Sequence, residues 1–194
     1  LLLRDALLLE LAVESASREI DSACERVFYP TTTTRIYAPE NDFTCSIDDV
    51  VSISSLKTSS TANGTFDTTW SATDYQLEPL NGIAGGILTS QNLIRAVGSY
   101  TFPVAGTYVA PVQGTYAMPA NGNTATVQVT GTFGFSAAPI AVRQATVILA
   151  SRIFKRNDSP LGIAGFGDMG AIRVSRLDSD VEALIAPYKK LRFA

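Results

Sequence analysis

The sequence contains no histidine. That absence removes the commonest general base, the commonest metal ligand, and every Ser-His or Cys-His nucleophilic pairing. Cysteine is scarce too. Cys24 and Cys45 are too few for a disulfide scaffold or a zinc site, and both read as reduced, small core residues. No apolar run reaches the length of a bilayer span. The start, Leu1 to Glu10, is apolar, but Asp5 and Glu10 interrupt it and no small-residue cleavage site follows, so it does not read as a signal peptide. The missing Met at position 1 is what a trimmed chain would show. Paired acids are also lacking: Asp48 and Asp49 are adjacent, and on a strand they point to opposite faces. A hydrolase is therefore disfavoured, and the expectation is no catalytic residue, no cofactor and no metal.

What is present is a chain of 194 residues with 46% hydrophobic content, enough for one large domain or a small domain carrying a big insertion. Charge is divided along it. Residues 1–134 hold six Lys and Arg against 13 Asp and Glu, whereas residues 135–194 hold nine against five, and the whole nets −3. Such a subunit is dipolar, suited to head-to-tail stacking or to a negatively charged neighbour.

Residues 3–27 read as one amphipathic helix, with Leu9, Ala12, Ala16, Ile20, Ala23 and Val27 at spacings of three and four. Glu10, Glu14, Arg18, Asp21 and Glu25 take the other side, with Glu14 and Arg18 in the favoured order for a pair. Pro30 and the run Thr31 to Thr34 end the helix, and from there to about residue 132 the composition turns to Thr, Ser, Gly, Val and Tyr, an all-β mixture. Strands are predicted at 33–37, 50–57, 65–70, 74–78 and 92–97, with Asn63-Gly64 as a hairpin turn. In the first half of 50–57, Val51 and Ile53 are expected on one face and Val50, Ser52 and Ser54 on the other. Between 98 and 120, two similar stretches, 106–111 and 114–119, and prolines at 103, 111 and 119 predict an extended loop or edge hairpin, either a floppy insertion or an arm that packs on a neighbouring subunit. Trp70 and the seven tyrosines fit sheet packing, or a sugar-binding face.

The last third organises the chain. A strand at 126–130 and a turn at Gly131 and Gly134 lead to Ser136, a candidate N-cap, and a helix from Ala137 to about Arg156. That helix is apolar almost all round, so it is expected to be buried between several neighbours and to pack on the first helix. Gly165-Phe-Gly-Asp-Met-Gly170 matches G-x-G-x-x-G, but a helix and a proline loop precede it and an alternating segment, 171–175, follows, the reverse of a dinucleotide site. Asn63, Gly64 and Asp67 hold one acid, too few for a calcium loop. A short helix is predicted over 178–188, capped by Asp178, with Val181, Leu184 and Ile185 inward. Without residues 189–194 the subunit is expected to fold unchanged.

Gly131-Thr-Phe-Gly-Phe135, the helix end Arg152-Ile-Phe-Lys-Arg156, Ser159-Pro-Leu-Gly-Ile-Ala-Gly165 and the segment from Asp178 to Tyr188 resemble the head-to-tail connector (adaptor) family of tailed bacteriophages. The resemblance covers the first helix and roughly residues 125–190, with scattered likeness at 50–57 and 70–79. It implies an α+β fold, with a small helical core of residues 1–30 and 135–194 carrying a β-rich insertion of residues 31–134. It implies a non-enzymatic structural virion protein of the neck, assembled in the host cytoplasm. Its expected partners are copies of itself in a dodecameric ring, the portal protein and a tail-side stopper or tail-terminator protein. Packaged DNA would pass through the lumen without sequence-specific contact, and no membrane is involved. Interface candidates are the basic cluster Arg152, Lys155 and Arg156; the apolar loop with Leu161, Phe166, Asp168 and Met169; and the tail with Lys189, Lys190, Arg192 and Phe193, whose alternation could add a strand to a portal sheet edge. The alternative is a β-rich binding module, such as a carbohydrate-binding decoration or tail-fibre domain, which would not need helices at both ends.

Overall fold

A computed structural model describes residues 2–60, 64–84, 87–104, 125–156 and 179–190. The fold is α+β. Its elements are α1 (Leu2–Cys24), β1 (Thr31–Tyr37), β2 (Thr44–Thr58), β3 (Thr68–Trp70), β4 (Tyr75–Glu78), β5 (Ile83–Ala84), β6 (Ile87–Leu88), β7 (Gln91–Ala96), β8 (Val127–Phe133), α2 (Ile140–Arg156) and α3 (Ser179–Ile185). The chain divides into two compact units, one of residues 1–28 with 137–194 and the other of residues 29–136.

The second unit is built on β2, which is long enough to serve several partners. One edge of β2 pairs antiparallel with β8; the other pairs with β7 near Thr44–Val50 and with β3 at Leu56–Thr58. β1 and β4 close the ends, giving the order β1-β8-β2-β7-β4 with β3 beside β2. β8 alternates strictly: Val127, Val129, Gly131 and Phe133 are buried, and Gln128, Thr130 and Thr132 are half-exposed. Two register shifts in β2, near Val50–Ser52 and Ile53–Ser55, break its alternation against β8. The predicted alternation of 50–57 is therefore corrected: Val50 is buried, but Val51 and Ser52, expected on opposite faces, are both exposed. Gly131 sits where a Cβ would press on the Ser52 carbonyl, so the close approach of β8 and β2 there needs glycine. Trp70 stacks on Phe102 at 4.8 Å and 11°, and its indole N–H donates to Thr58 Oγ1 at 3.0 Å. The β5–β6 hairpin has no counterpart in the sequence reading. Residues 61–63 of the Asn63-Gly64 turn lie outside the described residues, but β2 and β3 on either side pair antiparallel.

In the first unit α1 stops three residues short of the predicted end. Glu25 takes a left-handed conformation (φ 53°), and the Arg26 N–H closes back on the Asp21 carbonyl at 3.1 Å, a closure that ends a helix. The buried seam of α1 is Ala12, Ala16, Ile20 and Cys24, so Cys24 replaces the predicted Ala23 and Val27. Small side chains at three of those four positions allow the close approach of α2. α2 begins at Ile140, with the Pro139 carbonyl accepting from the Arg143 N–H at 3.0 Å, so Ser136 is not its N-cap. α3 buries Val181 and Ile185 and leaves Leu184 half-exposed. A 3-10 turn, Ala186–Tyr188, follows, and Tyr188 meets Phe28 edge to face at 6.2 Å.

Candidate interaction surfaces

The helical unit presents the surfaces of interest. α2 is not covered on all sides, contrary to expectation. Val142, Ala145, Leu149 and Ala150 are buried, whereas Ile140 is 74% and Val147 64% exposed. Arg143, Gln144 and Ser151 are exposed as well. At helical spacing Ile140, Arg143, Gln144, Val147 and Ser151 share one outward stripe, apolar at two positions and cationic at Arg143. Arg152 and Lys155 are exposed in the last two turns, and Arg156 ends the helix.

α1 has a matching irregularity. Leu9 and Val13 continue the direction of the buried seam, yet they are 50% and 44% exposed. With Ala6, Glu10 and Glu14 they line an open groove. Leu7 and Leu11 are exposed on the opposite side. The sequence carried this signal: a helix beginning Leu-Leu-Arg-Asp-Ala-Leu-Leu-Leu-Glu-Leu is too apolar in its first half for a single buried stripe. Arg18 pairs with Asp21 at 3.0 Å, not with Glu14. The contact is off the hydrogen-bonding direction of Asp21 Oδ2, so it is a charge contact. Asp21 is half-buried instead of solvated, and burial raises its carboxyl above the usual carboxylate range, opposed by Arg18 and by the Phe28 N–H.

Lys189 and Lys190 are half-buried and follow the 3-10 turn. The Lys190 N–H donates to the Cys24 carbonyl at 3.1 Å, satisfying one of the open carbonyls at the end of α1. The chain through Lys190 is thus tied to the end of α1 within the helical unit. Leu161, Phe166, Asp168, Met169, Arg192 and Phe193 lie outside the described residues, as do 157–178 generally, the caps at Asp178 and the strand at 171–175. Most of the 98–120 segment does too, though Phe102 at its start is buried in the β core.

The β unit holds a polar cluster that sequence reasoning missed. Arg35 Nη1 donates to Asp48 Oδ2 at 2.7 Å, the Tyr37 hydroxyl donates to the same oxygen at 3.1 Å, and the Arg35 guanidinium lies 4.4 Å from the Phe133 ring centre. Burial, with the Asp48 charge beside it, pushes the Tyr37 hydroxyl up to about 12. Asp48 is engaged there and Asp49 is buried, so the two acids do not share a site. Trp70 is buried and Tyr37 and Tyr75 are half-buried, as sheet packing requires, whereas Tyr29 and Tyr100 are exposed. Among the described residues no group of three His, Cys, Asp or Glu side chains is placed to hold a metal ion, and no helix is long and apolar enough to cross a membrane. Both thiols are free and buried, and burial pushes Cys24 up to about 11 and Cys45 to about 12.

No protein-family model matches the chain. No curated protein matches it significantly. The fold, however, is found among solved structures. The chain is similar to a protein of the neck of a native gene transfer agent (GTA) particle, computed with C12 symmetry, with a TM-score of 0.52 and 17% identity over 96% of this chain and 84% of that one. It is likewise similar to a protein of the neck of an empty GTA particle, computed with C6 symmetry, with a TM-score of 0.50 and 17% identity over 96% of this chain and 78% of the other.

Proposed function

We propose that this chain is a structural, non-enzymatic subunit of the neck of a tailed phage-like virion, a head-to-tail adaptor. Copies assemble as a ring beneath the portal, twelve to match it. The ring lengthens the channel through which DNA passes and offers a platform to the next tail-side protein, a stopper or tail terminator. The observation that carries this reading is the fold likeness to neck proteins over 96% of the chain despite 17% identity. A likeness so complete at so low an identity fits a shared architecture better than a shared module. The exposed apolar stripes on α1 and α2 support the same reading, because a subunit built to work alone gains nothing from leaving Ile140 and Val147 in water.

The portal contact falls to the basic groups: Arg152, Lys155 and Arg156, with Lys189, Lys190, Arg192 and Phe193 at the terminus and Leu161, Phe166, Asp168 and Met169 between subunits. Docking then weakens as salt rises beyond about 0.15 M, where the screening length is about 8 Å. The test is particle assembly without this chain. Filled heads that leak DNA or never join tails are expected, and normal yields of tailed particles would overturn the reading.

A further inference from the structure

Two faces of the helical unit are unequal and complementary. On α1, Ala6, Leu9 and Val13 repeat at i, i+3 and i+7, and Glu10 and Glu14 flank them. On α2, Ile140, Arg143 and Val147 repeat at the same spacing. Both stripes are open to solvent, and their apolar positions match in period, so one can pack along the other with knobs entering gaps. Their charges are opposite: two carboxylates rim the first, and a guanidinium stands in the middle of the second.

We infer that α2 of one subunit lies in the α1 groove of the next, with Arg143 between Glu10 and Glu14. The inference rests on the ring reading above and supplies its subunit contact. The two faces differ, so each can take a different neighbour, and in the ring the contact is head-to-tail, the kind that closes when the rotation between copies is right. Charge also sets the pairing: α1 against α1 would oppose Glu10 and Glu14 to themselves, and α2 against α2 would oppose Arg143 to itself.

The test uses two full-length chains, one carrying Glu14→Cys and the other Arg143→Cys, joined by a short bis-maleimide. The native Cys24 and Cys45 are buried, so the introduced thiols react selectively. The two chains are mixed and cross-linked alone and on portal-bearing heads, with rings followed by electron microscopy in the same samples. A covalent dimer that appears only on mixing, where rings are present, is the expected result. Rings without that dimer overturn the pairing and leave the ring standing. A dimer from either chain by itself means that like faces meet and overturns it as well. Absence of rings in every sample defeats the ring reading, and this contact with it. A second readout is charge reversal: Arg143→Glu should abolish rings, and the Glu10→Lys, Glu14→Lys pair should restore them in the same chain. Failure of that rescue in a chain with unchanged helical circular dichroism also overturns the pairing.

Discussion

Single residues in this protein behave as their surroundings dictate. Cys24 and Cys45 look alike in the sequence and share one fate, burial that raises both thiols. Neither is expected to react with a thiol reagent at pH 8 in the folded chain, and both should react at once in denaturant; a native chain that titrates even one thiol rapidly would contradict this. Glu78 goes the other way. The Arg95 guanidinium, with Nε 2.6 Å from Oε1, holds its carboxyl below the ordinary value of 4.5. A lowered acid stabilises the fold above its ordinary value, and that contribution is lost as pH falls through its folded value. Carboxyl NMR should therefore show Glu78 titrating below 4.5, and Arg95→Gln should move it back up. Thr58 carries a heavier duty, since it accepts the only indole N–H of the chain in a buried setting. Thr58→Val leaves that donor unpaired and should cost about 1–3 kcal/mol by denaturant unfolding, with Trp70 fluorescence as the signal.

At the scale of elements, period and composition announced most of the structure. α1, α2, α3 and the β character between them were legible because apolar spacing and turn residues are local signals. What was not legible depends on partners distant in sequence. β2 runs from Thr44, six residues before its predicted start, because β7 and β8 supply its hydrogen bonds along that length. Its bulges, which leave Val51 and Ser52 both exposed, come from the register against β8 and have no local signature. The end of α1 at Cys24 follows from Glu25 adopting a conformation that sequence reserves for glycine or asparagine. Of the candidate interface residues, Arg152 and Lys155 are exposed, and the outward Ile140 and Val147 were hidden by the assumption that an apolar helix must be buried in its own chain. Two variants probe the elements. Gly131→Ala forces β8 away from β2 and should cost about 1–3 kcal/mol, as overpacking does. Truncation after Tyr188 removes the Lys190 tie to α1 and should destabilise by about 1 kcal/mol, whereas truncation after Lys190 should not. Equal melting of the two truncated chains would show that the tie is idle.

At the scale of the whole molecule, the chain divides into two compact units of different make-up. All three described α-helices belong to residues 1–28 and 137–194, and both described sheets belong to residues 29–136. The helical unit carries both complementary faces, so the inferred contact between copies lies within it. A chain with residues 33–130 replaced by a short linker should retain helical circular dichroism and melt cooperatively. Collapse of all structure would mean that the β unit shares the folding core. The central claim, that the chain works as a ring, is tested most directly by electron microscopy of the purified protein and of the protein mixed with portal-bearing heads. Closed rings, twelvefold where seated on the portal, are the predicted result; a chain that stays monomeric in both samples would contradict the account.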